Sequence, residues 1–167
     1  AGGWVLTSTG IPAHSSQIFR EDIGFGAIYE SARVLNAFRE RLAKQQYLTF
    51  NPGVALGGTD VRLDSTVTDG AASGKTNVVA KSMQVSGDIR TISPEQLAES
   101  KRVMQDIAAQ SLPGTTSRIT FDDGYPPMAP TDGNRELLAR YDQVSRALGY
   151  GAVVAVDPSK AGAADVS

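Results

Sequence analysis

The apolar residues of this chain change their period in a fixed order, and that order leaves few architectures open. Residues 4–8 alternate and carry Val and Thr, which reads as a strand. After a Gly10-Ile11-Pro12 break, Ile28, Ala32, Leu35 and Leu42 recur at helical spacing, with Val34 and Phe38 widening the stripe. Glu30, Arg33, Arg39, Glu40 and Arg41 form the expected solvated face. Residues 48–56 read as a second strand, with Pro52 favouring an edge or a bulge. Residues 59–76 are rich in Asp, Thr, Ser and Gly, with a short extended run at 61–63, and residues 77–90 read as a long third strand. Ser93-Pro94-Glu95-Gln96 marks a helix start, with Ser93 as cap, Pro94 first and Gln96 closing a capping box. Leu97, Met104, Ile107 and Leu112 give that helix its stripe, Pro113-Gly114 stops it, and residues 117–122 form a fourth strand. The resulting β-α-β-β-α-β order predicts an α+β fold, a ferredoxin-like sandwich with two helices on one face of a four-stranded antiparallel sheet.

Beyond this unit the composition changes. Pro126, Pro127 and Pro130 make residues 124–130 a stiff linker. A third helix is expected over 134–148, with Leu137, Tyr141, Val144 and Leu148 on one stripe, and residues 152–156 form a continuous apolar strand of the kind buried in a parallel sheet. A lone helix and strand cannot build such a sheet. Residues 1–127 are therefore expected to be one domain, and residues 128–167 a linker with a helix-strand fragment of another. Both chain ends read as cut from a longer protein.

Composition narrows the function. The chain has 167 residues, 41% hydrophobic and 20% charged, a globular balance. Its net charge of −2 gives no basic surplus for nucleic acid or an anionic membrane, and no apolar run approaches the roughly 18–20 residues that span a bilayer. The absence of cysteine excludes a disulfide framework, a thiol nucleophile and a thiolate metal site.

Three features invite a chemical reading. Residues 69–76 superficially resemble a phosphate loop, but three residues rather than four separate Gly70 from Gly74, and strand rather than helix follows. His14 is the single histidine, on a loop after a strand, so neither a self-contained zinc site nor a catalytic triad can be assembled around it. Asp88 and Arg90 share a strand face. They make either a surface ion pair or an arginine held ready for a substrate carboxylate.

Together these segments resemble the lid, or dimerisation, domain of M20 (carboxypeptidase G2-like) metallopeptidases. The stretches that carry the resemblance are Gly10-Ile11-Pro12-Ala13-His14-Ser15-Ser16, Asn51-Pro52-Gly53, Gly57-Gly58-Thr59, Thr76-Asn77-Val78-Val79-Ala80, Gly87-Asp88-Ile89-Arg90 and the glycine-rich, Asp165-bearing end. Arg90 follows Asn77 by thirteen positions, a spacing the family favours. Gly26-Ala27 stands where the family has Asn-Ala, and Ala80 where it has proline.

The resemblance implies a dizinc hydrolase of an amide bond next to a free carboxylate, acting on peptides or N-acyl amino acids. Two zinc ions would be held by a catalytic domain and none by this segment. The resemblance also implies a homodimer formed through the lid. His14 matches an imidazole that stabilises the oxyanion in the partner's active site, Asn77 a substrate-contacting amide, Arg90 the carboxylate-gripping arginine, and Asp165 a pocket-lining residue. A stand-alone ferredoxin-like binding or regulatory module is the alternative, and the orphan apolar strand at 152–156 speaks against it.

Overall fold

The computed structural model of the chain describes residues 2–160. Its elements are β1 (Gly2–Gly10), α1 (Gly26–Leu42), β2 (Thr49–Gly58), β3 (Asp60–Leu63), β4 (Gly70–Ser73), β5 (Ser82–Arg90), α2 (Pro94–Ala109), β6 (Thr115–Asp122) and α3 (Asp132–Ala147). Strands β2-β5-β1-β6 form one antiparallel sheet in that spatial order, and β3 pairs with β4 in a separate hairpin. The two edge strands are β2 and β6, and the register slips between Pro52 and Val54, the bulge that proline at an edge favours. This is the expected ferredoxin-like α+β sandwich.

The period of two sorts the sheet residues. Trp4 and Leu6 of β1, Val85 and Ile89 of β5 and Ile119 of β6 meet Val34, Phe38 and Leu42 of α1 and Met104, Ile107 and Ala108 of α2 in one core. Trp4 and Phe38 pack edge to face, centroids 6.1 Å apart and planes at 88°. Burying a side chain such as Phe38 or Leu42 contributes about 1.5–3 kcal/mol. Gly87 is required beneath the indole, since a Cβ there would lie 2.4 Å from a Trp4 ring carbon and 2.1 Å from the Asn51 carbonyl. Helix α2 starts as its sequence dictates: the Ser93 hydroxyl accepts from the Gln96 N–H, and the Gln96 carboxamide accepts from Ile92 N–H, one residue before the cap.

Helix α1 is rotated from the expected setting. Its covered face is Ala27, Glu30, Ser31, Val34, Phe38 and Leu42, while Ile28 is exposed. Glu30, expected in solvent, is fully buried, and its carboxylate is saturated. Arg33 donates from Nη2 to Oε1 (2.5 Å) and from Nε to Oε2 (3.2 Å). The Leu112 N–H reaches Oε2 at 2.8 Å, and the Ser117 hydroxyl reaches Oε1 at 2.9 Å. Ser31 donates to Ser8, which stands 2.8 Å from Ser117, so a file of hydroxyls joins α1, β1 and β6 to the same carboxylate. Burial pushes the Glu30 carboxyl up, but the Arg33, Leu112 and Ser117 hydrogen bonds and the Arg33 charge outweigh it and hold the group below the usual carboxylate range.

Two further expectations shift. Strand β5 begins at Ser82, not at 77. Residues 152–156 take no strand conformation. A strand needs a ladder partner, and the Val153 N–H turns back instead to the Asp142 carboxylate of α3, 2.7 Å away. Helix α3 exists, capped by Thr131, but its stripe of Leu137, Tyr141, Val144 and Leu148 lies in solvent.

Candidate functional site

The outer face of the sheet, opposite α1 and α2, carries Gln84, Ser86, Asp88 and Arg90 of β5 by alternation. The β3–β4 hairpin folds over half of it: the Ser86 hydroxyl donates to the Val67 carbonyl (2.6 Å), and Leu56 of β2 touches Gly70. The Asp64 carboxylate braces the hairpin tip by accepting from the N–H groups of Thr68 and Asp69. Residues 69–76 are thus the second strand of a hairpin and a turn, which removes the phosphate-loop reading.

His14 and Asn77 are brought together. The Ser15 N–H donates to the Asn77 carbonyl and the Val79 N–H to the Ala13 carbonyl, both at 2.9 Å, so His14 and Val78 face each other across an isolated antiparallel bridge. This bridge explains the late start of β5, because the Val78-Val79 pair is spent on the His14 loop. Val79 is buried against Gly26, whose φ of +75° suits glycine, and a Cβ at Gly26 would come 2.7 Å from a Val79 methyl. Both His14 and Asn77 have exposed side chains. The Ser16 N–H points at His14 Nδ1 (3.2 Å) and the Ser16 hydroxyl stands 2.8 Å from it. A ring nitrogen that accepts a backbone N–H carries no proton, which leaves Nε2 as the N–H donor of this exposed ring. The sequence signal for this contact is a lone histidine with a hydroxyl residue, Ser16, two positions on.

Arg90 is elsewhere. It ends β5, eight residue steps from Ser82, about 26 Å at roughly 3.3 Å per residue. His14 and Asn77 lie beyond the Ser82 end, so one copy of the chain cannot bring all three groups to one ligand. Arg90 donates from Nε to Asp88 Oδ2 at 3.1 Å, and both side chains are about half exposed. The Asp88 carbonyl accepts from the buried Trp4 indole N–H at 2.9 Å, which anchors this end of the strand. Asp165 lies outside the described residues.

Among the described residues no group of three or more His, Asp or Glu side chains stands close enough to hold a metal ion. What these residues can supply is hydrogen bonding and charge: an imidazole Nε2–H and a carboxamide at one end of the sheet, and a guanidinium at the other.

The model of the peptidase dimerisation domain matches residues 1–116. Comparison with curated proteins gives no match. Among solved structures the chain is similar to a hydantoinase/carbamoylase family amidase from Burkholderia ambifaria, at 22% identity and a TM-score of 0.62, over 97% of this chain and 36% of that one. It is also similar to a tripeptidase from Staphylococcus aureus (16% identity, TM-score 0.57, 92% of this chain and 37% of that one). Aminopeptidase PepT from Bacillus cereus is comparable (16% identity, TM-score 0.56, 97% of this chain and 39% of that one). The chain thus spans little more than a third of the length of these proteins, and at such identities the likeness is one of fold. With the family model covering β1 to the start of β6, the chain belongs to the M20 peptidase dimerisation-domain family.

Proposed function

We propose that this chain is the lid of a dizinc M20 hydrolase that cleaves an amide bond next to a free carboxylate, of carboxypeptidase or aminoacylase type, and that it completes the active site only as a homodimer. The observation that carries this reading is the separation of the three site residues along β5. A two-fold axis perpendicular to the sheet reverses strand direction, so two copies joined edge to edge set the His14–Asn77 end of one beside the Arg90 end of the other. Joined through β2, the two β5 strands are three strand spacings apart, about 14 Å; joined through β6 they are five apart, about 24 Å.

Edge chemistry favours β2. Residues 49–58 carry no charge, whereas β6 carries Arg118 and Asp122 at the other edge. Beside β2, helix α1 exposes Ile28 and Tyr29, with Ile28 lying against Gly57. In such a dimer the partner's imidazole Nε2–H donates to the oxyanion that forms when the amide carbonyl is attacked. Asn77 beside it contacts the substrate, Arg90 binds the carboxylate, and Asp165 lines the pocket. The zinc ligands belong to the rest of the enzyme, and the exposed stripe of α3 fits docking onto that domain, which is why the stand-alone module is the weaker reading.

The test is a substrate comparison in the full-length enzyme. Arg90→Ala should raise KM at least tenfold for a free carboxylate substrate and leave its carboxamide analogue nearly unchanged. Equal effects on both would remove Arg90 from the site.

A further inference from the structure

Resting on the assignment of Arg90 above, we infer that Asp88 is a positioning residue that turns the Arg90 guanidinium into an end-on receptor for one carboxylate. A guanidinium offers two edges that match the spacing of carboxylate oxygens, the Nε edge and the edge made by its two terminal amino groups. Asp88 Oδ2 takes Nε at 3.1 Å and no terminal nitrogen. The terminal amino groups have no hydrogen-bond partner among the described residues, so the edge left open is the one they make.

An exposed ion pair by itself holds little, typically under about 1 kcal/mol. Here the carboxylate stands on an unusually fixed base. Trp4, 2% exposed, donates its indole N–H to the Asp88 carbonyl, and the same ring and the Asn51 carbonyl leave no room for a Cβ at Gly87. The backbone of Asp88 is therefore immobilised from the core side, while its side chain, two positions before Arg90 on the same face, sets the azimuth of the guanidinium. The Asp88 hydrogen bond restricts the rotation of the exposed Arg90 side chain. Its ligand is a single carboxylate approaching along the axis of the guanidinium, with Asp88 shielding the flank.

The experiment uses the full-length enzyme with tri-L-alanine, N-acetyl-L-alanine and N-carbamoyl-L-alanine, following the probe turned over fastest together with its C-terminal carboxamide. Asp88→Ala should raise KM for the carboxylate probe about tenfold, with kcat within about twofold and the carboxamide unaffected. Asp88→Asn keeps an oxygen that can accept the Nε–H and should recover most of the loss, to within about threefold of wild type. An unchanged KM in Asp88→Ala overturns the inference, as does a loss shared equally by carboxylate and carboxamide with a lowered melting temperature, the mark of a role in folding. Arg90→Ala is the control that separates the two levels. If it discriminates carboxylate from carboxamide and Asp88→Ala does not, the positioning role fails and the Arg90 assignment stands. If Arg90→Ala does not discriminate either, both fall.

Discussion

Helices α1 and α3 carry apolar stripes of the same spacing and meet opposite fates. Val34, Phe38 and Leu42 of α1 are sealed against the sheet at 0% exposure, and a buried carboxylate on the same face is fully hydrogen-bonded. Leu137, Tyr141, Val144 and Leu148, on and just after α3, stand 55–68% exposed, with an apolar segment beyond them that has no ladder partner among the described residues. Amphipathic periodicity says that a helix has a partner; it does not say whether the partner lies in the same chain. For α1 the partner is the sheet that the flanking strands build. For α3 no such partner lies among the described residues, and the proposed catalytic domain would supply it.

The sharpest way to break this comparison is to truncate both stripes. Phe38→Ala should cost about 3–5 kcal/mol in urea unfolding, and Leu137→Ala within about 0.5 kcal/mol in this chain, because nothing is uncovered. Comparable losses would mean that α3 is packed in solution. Glu30→Ala should cost about 3–5 kcal/mol as well, since it strands Arg33 and the Leu112 N–H in a covered site. On the functional side, His14→Ala in the full-length enzyme should lower kcat by about 10²–10³ with metal content unchanged. Its stability should stay within about 0.5 kcal/mol of wild type, since the imidazole is exposed.

Acid sharpens the contrast further. The folded Glu30 carboxyl titrates below its unfolded value of about 4.3, so its stabilisation is complete above that pH and is lost as pH falls through the lower folded value. Glu30→Gln should flatten the acid limb of stability below about pH 4.3; an unaltered limb would put the acid sensitivity elsewhere. Asp142 on α3 is also held low, by the Val153 N–H first and then Arg146, but its side chain is 27% exposed and sits outside the core. Asp142→Asn should therefore produce the smallest effect, faster amide exchange of Val153 with no change in global unfolding.

The β-α-β-β-α-β order, the Ser93 cap and the bulged β2 edge were legible in the sequence because each rests on local period or local hydrogen bonding. Glu30 was not, since charge alone assigns it to solvent, and only the arrival of Leu112 and Ser117 from residues more than eighty positions away makes burial tolerable. The 152–156 segment differs for the reverse reason: its apolar run has strand character, but a strand forms only where another strand offers hydrogen bonds, and none does among the described residues. In the candidate site, the residue types His14, Asn77 and Arg90 could be read from motifs. Their placement at opposite ends of one strand could not, because the single bridge between the His14 loop and Val78 is a tertiary contact.

That placement makes complementation between impaired subunits, assayed at substrate well below KM, the most direct measurement. In the full-length enzyme, co-expressed His14→Ala and Arg90→Ala subunits should recover roughly a quarter of wild-type activity, because half the dimers are mixed and each mixed dimer rebuilds one of its two sites. His14→Ala with Asn77→Ala should recover nothing, since both residues enter the same site from the same subunit. Mixed dimers of the first pair that form and stay inactive would contradict the account.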